Sequence, residues 1–161
     1  MSWTARWFST RGGPTSIRDV LVVLVMPVIE LGYDDRWRSY IRFTSILHAS
    51  DRETLRTALN NRWNSGYVAC FTHLKRMMAL PAEIAEQRLS IFTIYANAIL
   101  SAREAALENR HRKSRLWDQN FTIENILDTL EATITSPPSA ATNALLGPSR
   151  KAKARPTKAK A

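Results

Sequence analysis

The sequence has few of the residues from which proteins build cross-linked, phosphate-binding or metal sites. It contains one cysteine, Cys70, so no disulfide can form within the chain, and we expect a reducing, cytoplasmic setting. Its five glycines form no phosphate-binding loop. Its three histidines, His48, His73 and His111, do not have the spacing of metal ligands. We therefore predict no metal, no cofactor and no enzymatic activity.

The one pair that resembles a reactive site is Cys70 with His73. Residues three apart on a helix share a face, and a thiolate–imidazole pair needs that proximity. A single buried cysteine at a helical position is more often a small apolar core residue. We interpret Cys70 as core and His73 as the edge of the same apolar stripe.

Long hydrophobic runs are also missing. The most apolar stretch, residues 20–29, is flanked by Asp19 and Glu30. A helix that spans a bilayer needs about 20 apolar residues. We therefore predict a buried helix here and no membrane span.

The positive charge is concentrated at the C-terminus. Residues 150–161 hold six of the nine net positive charges and no acidic residue. This run of Ala, Pro and basic residues cannot bury enough apolar surface to fold, so we predict a disordered basic tail over residues 136–161. The basic residues of this tail are candidates for weak, non-specific contact with nucleic acid, although a purely solubilising tail explains them equally well. They are Arg150, Lys151, Lys153, Arg155, Lys158 and Lys160.

The apolar residues follow helical spacing throughout, and no stretch alternates as a strand does. Helix starts are predicted near Ser16, at Asp34 or Asp35, at Ser50, at Pro81 and near Thr122. The third of these helices would continue as far as Met78. We predict an all-α bundle of about five helices over residues 15–135, preceded by an N-terminal arm or remnant over residues 1–14.

Two of the predicted helices carry aromatic stripes, which allow two interpretations. Stripes of this kind usually pack in a core, but two of them on neighbouring helices also suit a pocket for a flat or apolar ligand. The candidates for such a pocket are Trp37, Tyr40, His48, Trp63, Tyr67, Phe71 and Met78.

The fourth predicted helix is apolar on two sides. One stripe contains Ile84, Ile91 and Tyr95, and the other contains Phe92 and Leu100. A surface helix normally buries one stripe, so this helix is either central or covered by a partner.

Three stretches resemble the C-terminal, ligand-binding and dimerisation domain of TetR-family transcriptional regulators. Residues 35–43, DRWRSYIRF, are similar to the family's early aromatic helix, which helps to wall the effector pocket. Residues 52–78 resemble its long central helix. Residues 80–89, LPAEIAEQRL, resemble the entry to its penultimate helix.

The resemblance implies a homodimer that binds a small apolar or aromatic effector. In that family the last two helices pair with their counterparts in a second subunit. The implied dimer-interface candidates are Ile84, Leu89, Ile91, Phe92, Tyr95, Leu100, Ile123, Ile126, Leu127 and Leu130. The family's helix-turn-helix domain has no counterpart in the residues before the first match, so we expect a truncated or stand-alone module. The alternative is a helical protein that associates with nucleic acid through its basic tail.

Overall fold

A computed structural model describes residues 14–31, 39–59, 65–108 and 116–146 of the chain. Within these ranges the only regular secondary structure is α-helix, which confirms the all-α prediction. Most of the predicted N-terminal arm lies outside the described residues, as do Trp37, Trp63 and the six basic residues of the tail. No helix in the described ranges is both long enough and apolar enough to cross a membrane.

The helices are numbered here in chain order. They are α1 (Ile17–Leu31), α2 (Tyr40–Ser50), α3 (Arg52–Leu59), α4 (Ser65–Met77), α5 (Ala82–Glu108), α6 (Thr122–Thr135) and α7 (Ala140–Leu145).

The start of α1 is the capping box that the sequence predicts. The Ser16 amide donates to the Asp19 carboxylate at 2.9 Å, and the Asp19 amide donates to the Ser16 hydroxyl at 3.1 Å. The hydrogen bond from Ser16, reinforced by Thr15, lowers the pKa of Asp19. The apolar run that follows supplies the centre of the core, because Val20, Leu21 and Val23 are fully buried or nearly so.

The cap of α3 lies one residue later than predicted. The Asp51 carboxylate accepts the Thr54 amide at 3.0 Å, whereas the Ser50 hydroxyl donates back to Ile46 in the last turn of α2. A carboxylate accepts only, so it suits the exposed amides of a helix start. Residues 60–64 lie outside the described part, so the continuity of one helix through to Met78 stays a prediction.

The boundary of the predicted disordered tail was wrong for residues 140–145, which form α7. The Ser139 hydroxyl accepts the Thr142 amide at 3.2 Å and caps this short helix, and three alanines favour its conformation. Residues 147–161, the rest of the predicted tail, lie outside the described residues.

Helix α5 is the central helix of the described part of the chain. It packs against α2, α4 and α6, while α1 packs against α4 and α6. Side-chain contacts show that α2, α4 and α6 all run antiparallel to α5. For α2, Arg42 and Ser45 contact Glu104 and Asn97 in that order. For α4, Tyr67 and Lys75 contact Thr93 and Glu86. For α6, Thr129 and Thr133 contact Tyr95 and Arg88. Thus α2 lies along the C-terminal half of α5.

Candidate functional site

Three aromatic rings form a ladder between α4 and α5. Tyr67 and Phe71 are four residues apart on α4, so they share a face, and their rings stack with centroids 4.2 Å apart. Phe71 meets Phe92 of α5 edge-on at 6.0 Å. Phe92 is 3% exposed and Tyr67 is 44% exposed, so the ladder runs from the core to the surface. An apolar flat surface is therefore accessible from solvent at its outer end.

Polar groups lie beside this ladder along α5, against which α2 and α4 both pack. The Thr93 hydroxyl donates to the Leu89 carbonyl at 2.9 Å, and its oxygen lies 3.1 Å from the Tyr67 hydroxyl. Because a threonine hydroxyl has one hydrogen, Tyr67 is the donor in that contact. One turn further along α5, the Asn97 amide donates to the Thr93 carbonyl at 2.8 Å. The Ser45 hydroxyl of α2 lies 3.2 Å from the Asn97 backbone carbonyl and 2.7 Å from the Ile41 carbonyl, and these two acceptors share its one hydrogen.

We call this region the α2–α4–α5 junction and define it by Ser45, Tyr67, Phe71, Phe92, Thr93 and Asn97. Asn97 is the polar residue of the junction with unused hydrogen-bonding capacity. A primary amide offers two donors and an acceptor oxygen. Within the described residues, one of these donors is used by Thr93, and the side-chain oxygen of this half-buried residue accepts no hydrogen bond. The junction thus places an amide with unused hydrogen-bonding capacity one helical turn from Thr93, which contacts the hydroxyl of the stacked Tyr67.

Ion pairs fix both outer helices of the junction to α5. Arg42 of α2 pairs with Glu104 at 3.2 Å and with Glu108 at 2.6 Å, and the Glu104 side chain is only 9% exposed. At the other end, Lys75 of α4 pairs with Glu86 at 2.6 Å. The hydrogen bond and charge of Lys75 lower the pKa of Glu86.

The predicted ligand residues separate into three groups. Tyr67 and Phe71 come together in the junction. Tyr40 and His48 lie on α2, and Met78 is buried in the core. Trp37 and Trp63 lie outside the described residues.

Ser45, Thr93 and Asn97 were not among the site residues predicted from the sequence. A signal for two of them exists, since Thr93 and Asn97 are four residues apart and place two polar groups on one side of a largely apolar helix. Phe92 was predicted for the dimer interface and instead lines the junction from the core side.

Most of the predicted dimer-interface residues are buried within a single chain. They lie in the core because α5 and α6 pack these faces against each other and against α1 and α4. The buried members are Ile84, Leu89, Phe92, Leu100, Ile126, Leu127 and Leu130. Tyr95 and Ile123 are partly buried against the core. Ile91 is the only exposed residue among these ten candidates.

A different face of α5 is both apolar and open. Ile91, Ile94, Ala98, Ala102 and Ala105 are all exposed and follow one another at spacings of three and four residues. That spacing places them on one side of the helix over about 21 Å. We call this surface the α5 stripe. Ile94, which the sequence analysis missed, is its most prominent residue at 66% exposure.

Cys70 lies at the centre of the core with no exposed surface. Burial raises the pKa of its thiol to about 11, because the thiolate loses its hydration there. His73, three residues later, is half-buried at the edge. This geometry supports the interpretation of Cys70 as a structural residue.

The described ranges contain no group of three His, Cys, Asp or Glu side chains placed to hold a metal ion. No protein-family profile, characterised protein or solved structure matches the chain.

Proposed function

We propose that the chain is a sensor module that binds a small effector and forms a homodimer, similar in organisation to the TetR-family C-terminal domain. One observation supports this proposal more than any other. A single helix, α5, lines the α2–α4–α5 junction with one face and presents the exposed apolar stripe on another. A module that senses and pairs needs these two surfaces to be connected.

The junction indicates the chemistry of the effector. Stacked rings suit a flat aromatic or apolar skeleton. The Asn97 amide suits a hydroxyl, carbonyl or amide on that skeleton, since it both donates and accepts. The charged groups that tie α2 and α4 to α5, Arg42 with Glu104 and Lys75 with Glu86, are already paired, so the proposed effector is neutral.

The partner that we propose for the α5 stripe is a second copy of the chain. Its bulky isoleucines lie towards one end and its alanines towards the other. An antiparallel pairing about a two-fold axis near Ala98 would set Ile91 and Ile94 of each copy against Ala105 and Ala102 of the other. Large residues then meet small ones, as close helix packing requires.

The connection between the two surfaces gives the module a means of response. An effector shifts an equilibrium only by binding one arrangement better than another. In our proposal an effector held by Asn97 and Thr93 favours one position of α2 and α4 against α5. The α5 stripe moves with the same helix, so effector binding and pairing are coupled.

The effector site is tested with 1-naphthol, an aromatic ring system with one hydroxyl, as the probe. Titration should give saturable shifts of the Thr93 and Asn97 amide signals in a nitrogen–proton correlation spectrum. Asn97→Leu should weaken naphthol binding about tenfold, since it leaves the hydroxyl unpaired.

The matched control is Asn125→Leu, at an exposed position of α6. It should bind naphthol as the wild type does. Equal affinity of both variants, or saturable shifts confined to residues away from the junction, would contradict the proposed site.

A further inference from the structure

Helix α7 ends at Leu145, Leu146 follows as its C-cap, and the described part of the chain leaves both leucines exposed. None of its residues is buried. Leu145 is 88% exposed, the largest value among the exposed large apolar residues of the described ranges, and Leu146 is 37% exposed. Moving an exposed apolar side chain out of water is favourable. A surface that covers these leucines would therefore bind the chain more tightly.

The sequence places a dense positive charge directly after these leucines. Six basic residues follow within residues 150–161, beginning four positions after Leu146, and no acidic residue occurs between 136 and 161. The linking residues Gly147, Pro148 and Ser149 are uncharged. An apolar pair and a polybasic run are therefore neighbours along the chain.

We propose that residues 140–161 bind an anionic lipid surface. Leu145 and Leu146 enter the boundary between headgroups and acyl chains, and the lysines and arginines contact the anionic headgroups. Stable attachment to a membrane surface commonly needs two such signals together, one apolar and one polybasic. This segment supplies both, and the attachment requires no spanning helix.

The leucines favour a lipid surface over a nucleic acid. Phosphates of either partner attract the basic residues, and that attraction weakens with salt in both cases. Only a bilayer offers an apolar phase next to its phosphates. A nucleic acid would bind the basic run and leave the two leucines in water.

The test uses co-sedimentation of the full chain with vesicles. One set is pure phosphatidylcholine and the other contains roughly one third phosphatidylserine. The chain should bind the anionic vesicles and not the neutral ones. The double variant Leu145→Ser, Leu146→Ser should weaken binding to anionic vesicles about tenfold or more, since it removes the apolar contribution. Both positions are unburied, so the fold should be unaffected, which circular dichroism checks.

The matched control is Leu116→Ser, at a leucine that is 70% exposed in the turns before α6 and far along the chain from the basic run. It should bind anionic vesicles like the wild type. Unchanged binding by the Leu145, Leu146 double variant overturns the proposal. So does binding to duplex DNA without binding to anionic vesicles, which would assign the basic run to nucleic acid.

Discussion

Individual residues in this protein show how burial decides chemistry. Cys70 and Asn97 both lie near the aromatic ladder, yet they differ in what they can do. The Cys70 thiol is fully buried, and the loss of hydration holds it in its protonated form. The Asn97 amide is half-buried and keeps hydrogen-bonding groups accessible. The neutral amide is therefore the better candidate for recognition, and the only cysteine is a packing residue.

The thiol of Cys70 makes a testable contribution to the pH dependence of stability. Its pKa in the folded chain, about 11, lies above its ordinary value of 9.0. The folded state therefore binds the proton more tightly, and stability falls as pH rises from about 9 towards 11. The free energy of unfolding of the wild type, measured relative to Cys70→Ala, should decline by about 1.4 kcal/mol per pH unit in that window. Urea unfolding at a series of pH values measures both chains, and parallel profiles would contradict the assignment.

At the scale of elements, α5 explains both what the sequence predicts and what it leaves undecided. Its start after Pro81 and its two apolar sides follow from residue types alone. Which side faces inward does not follow, because Ile91 and Phe92 are adjacent and equally apolar, yet one is exposed and the other buried. That choice is made by tertiary packing of α4 and α6. Replacing Phe92 or Leu127 with glutamate is accordingly expected to unfold the chain and not simply to separate a dimer.

The aromatic residues of the junction were predictable from the sequence, but its polar residues were not. The spacing of Tyr67 and Phe71 places them on one face of a helix, and they do stack. Ser45 lies on α2, whereas Thr93 and Asn97 lie on α5. They come together because α2 packs antiparallel along α5. Nothing local in residues 39–59 specifies that contact.

The ion pair that fixes α2 to α5 should be worth more than the one that fixes α4. Arg42→Met leaves the Glu104 carboxylate, 9% exposed, without its charged partner, and should lower the free energy of unfolding by about 2 kcal/mol. Lys75→Met breaks the exposed pair with Glu86 and should cost less than Arg42→Met, because solvent screens an exposed ion pair. Chemical denaturation compares the two variants, and a larger loss for Lys75→Met would show that α2 is held by other contacts.

At the scale of the whole molecule, three surfaces are distributed over one helical bundle. The α2–α4–α5 junction offers aromatic rings and an amide, the α5 stripe offers an apolar face, and α7 leads from exposed leucines into the basic run. The junction and the stripe share α5, which links effector binding to pairing in our proposal. The leucines of α7 and the α5 stripe share no residue, so the lipid and pairing proposals are tested with separate variants.

The central claim is that the α5 stripe joins two copies of the chain, and sedimentation equilibrium at micromolar concentration tests it most directly. The wild type should sediment at twice the 18.3 kDa of one chain. Ile94→Glu should sediment as the monomer, because it would bury an unpaired charge in the pairing face. Its matched control, Ile46→Glu, alters an equally exposed isoleucine on α2, 63% against 66%, and should remain a dimer. A monomeric wild type, or identical behaviour of the two variants, would contradict the account.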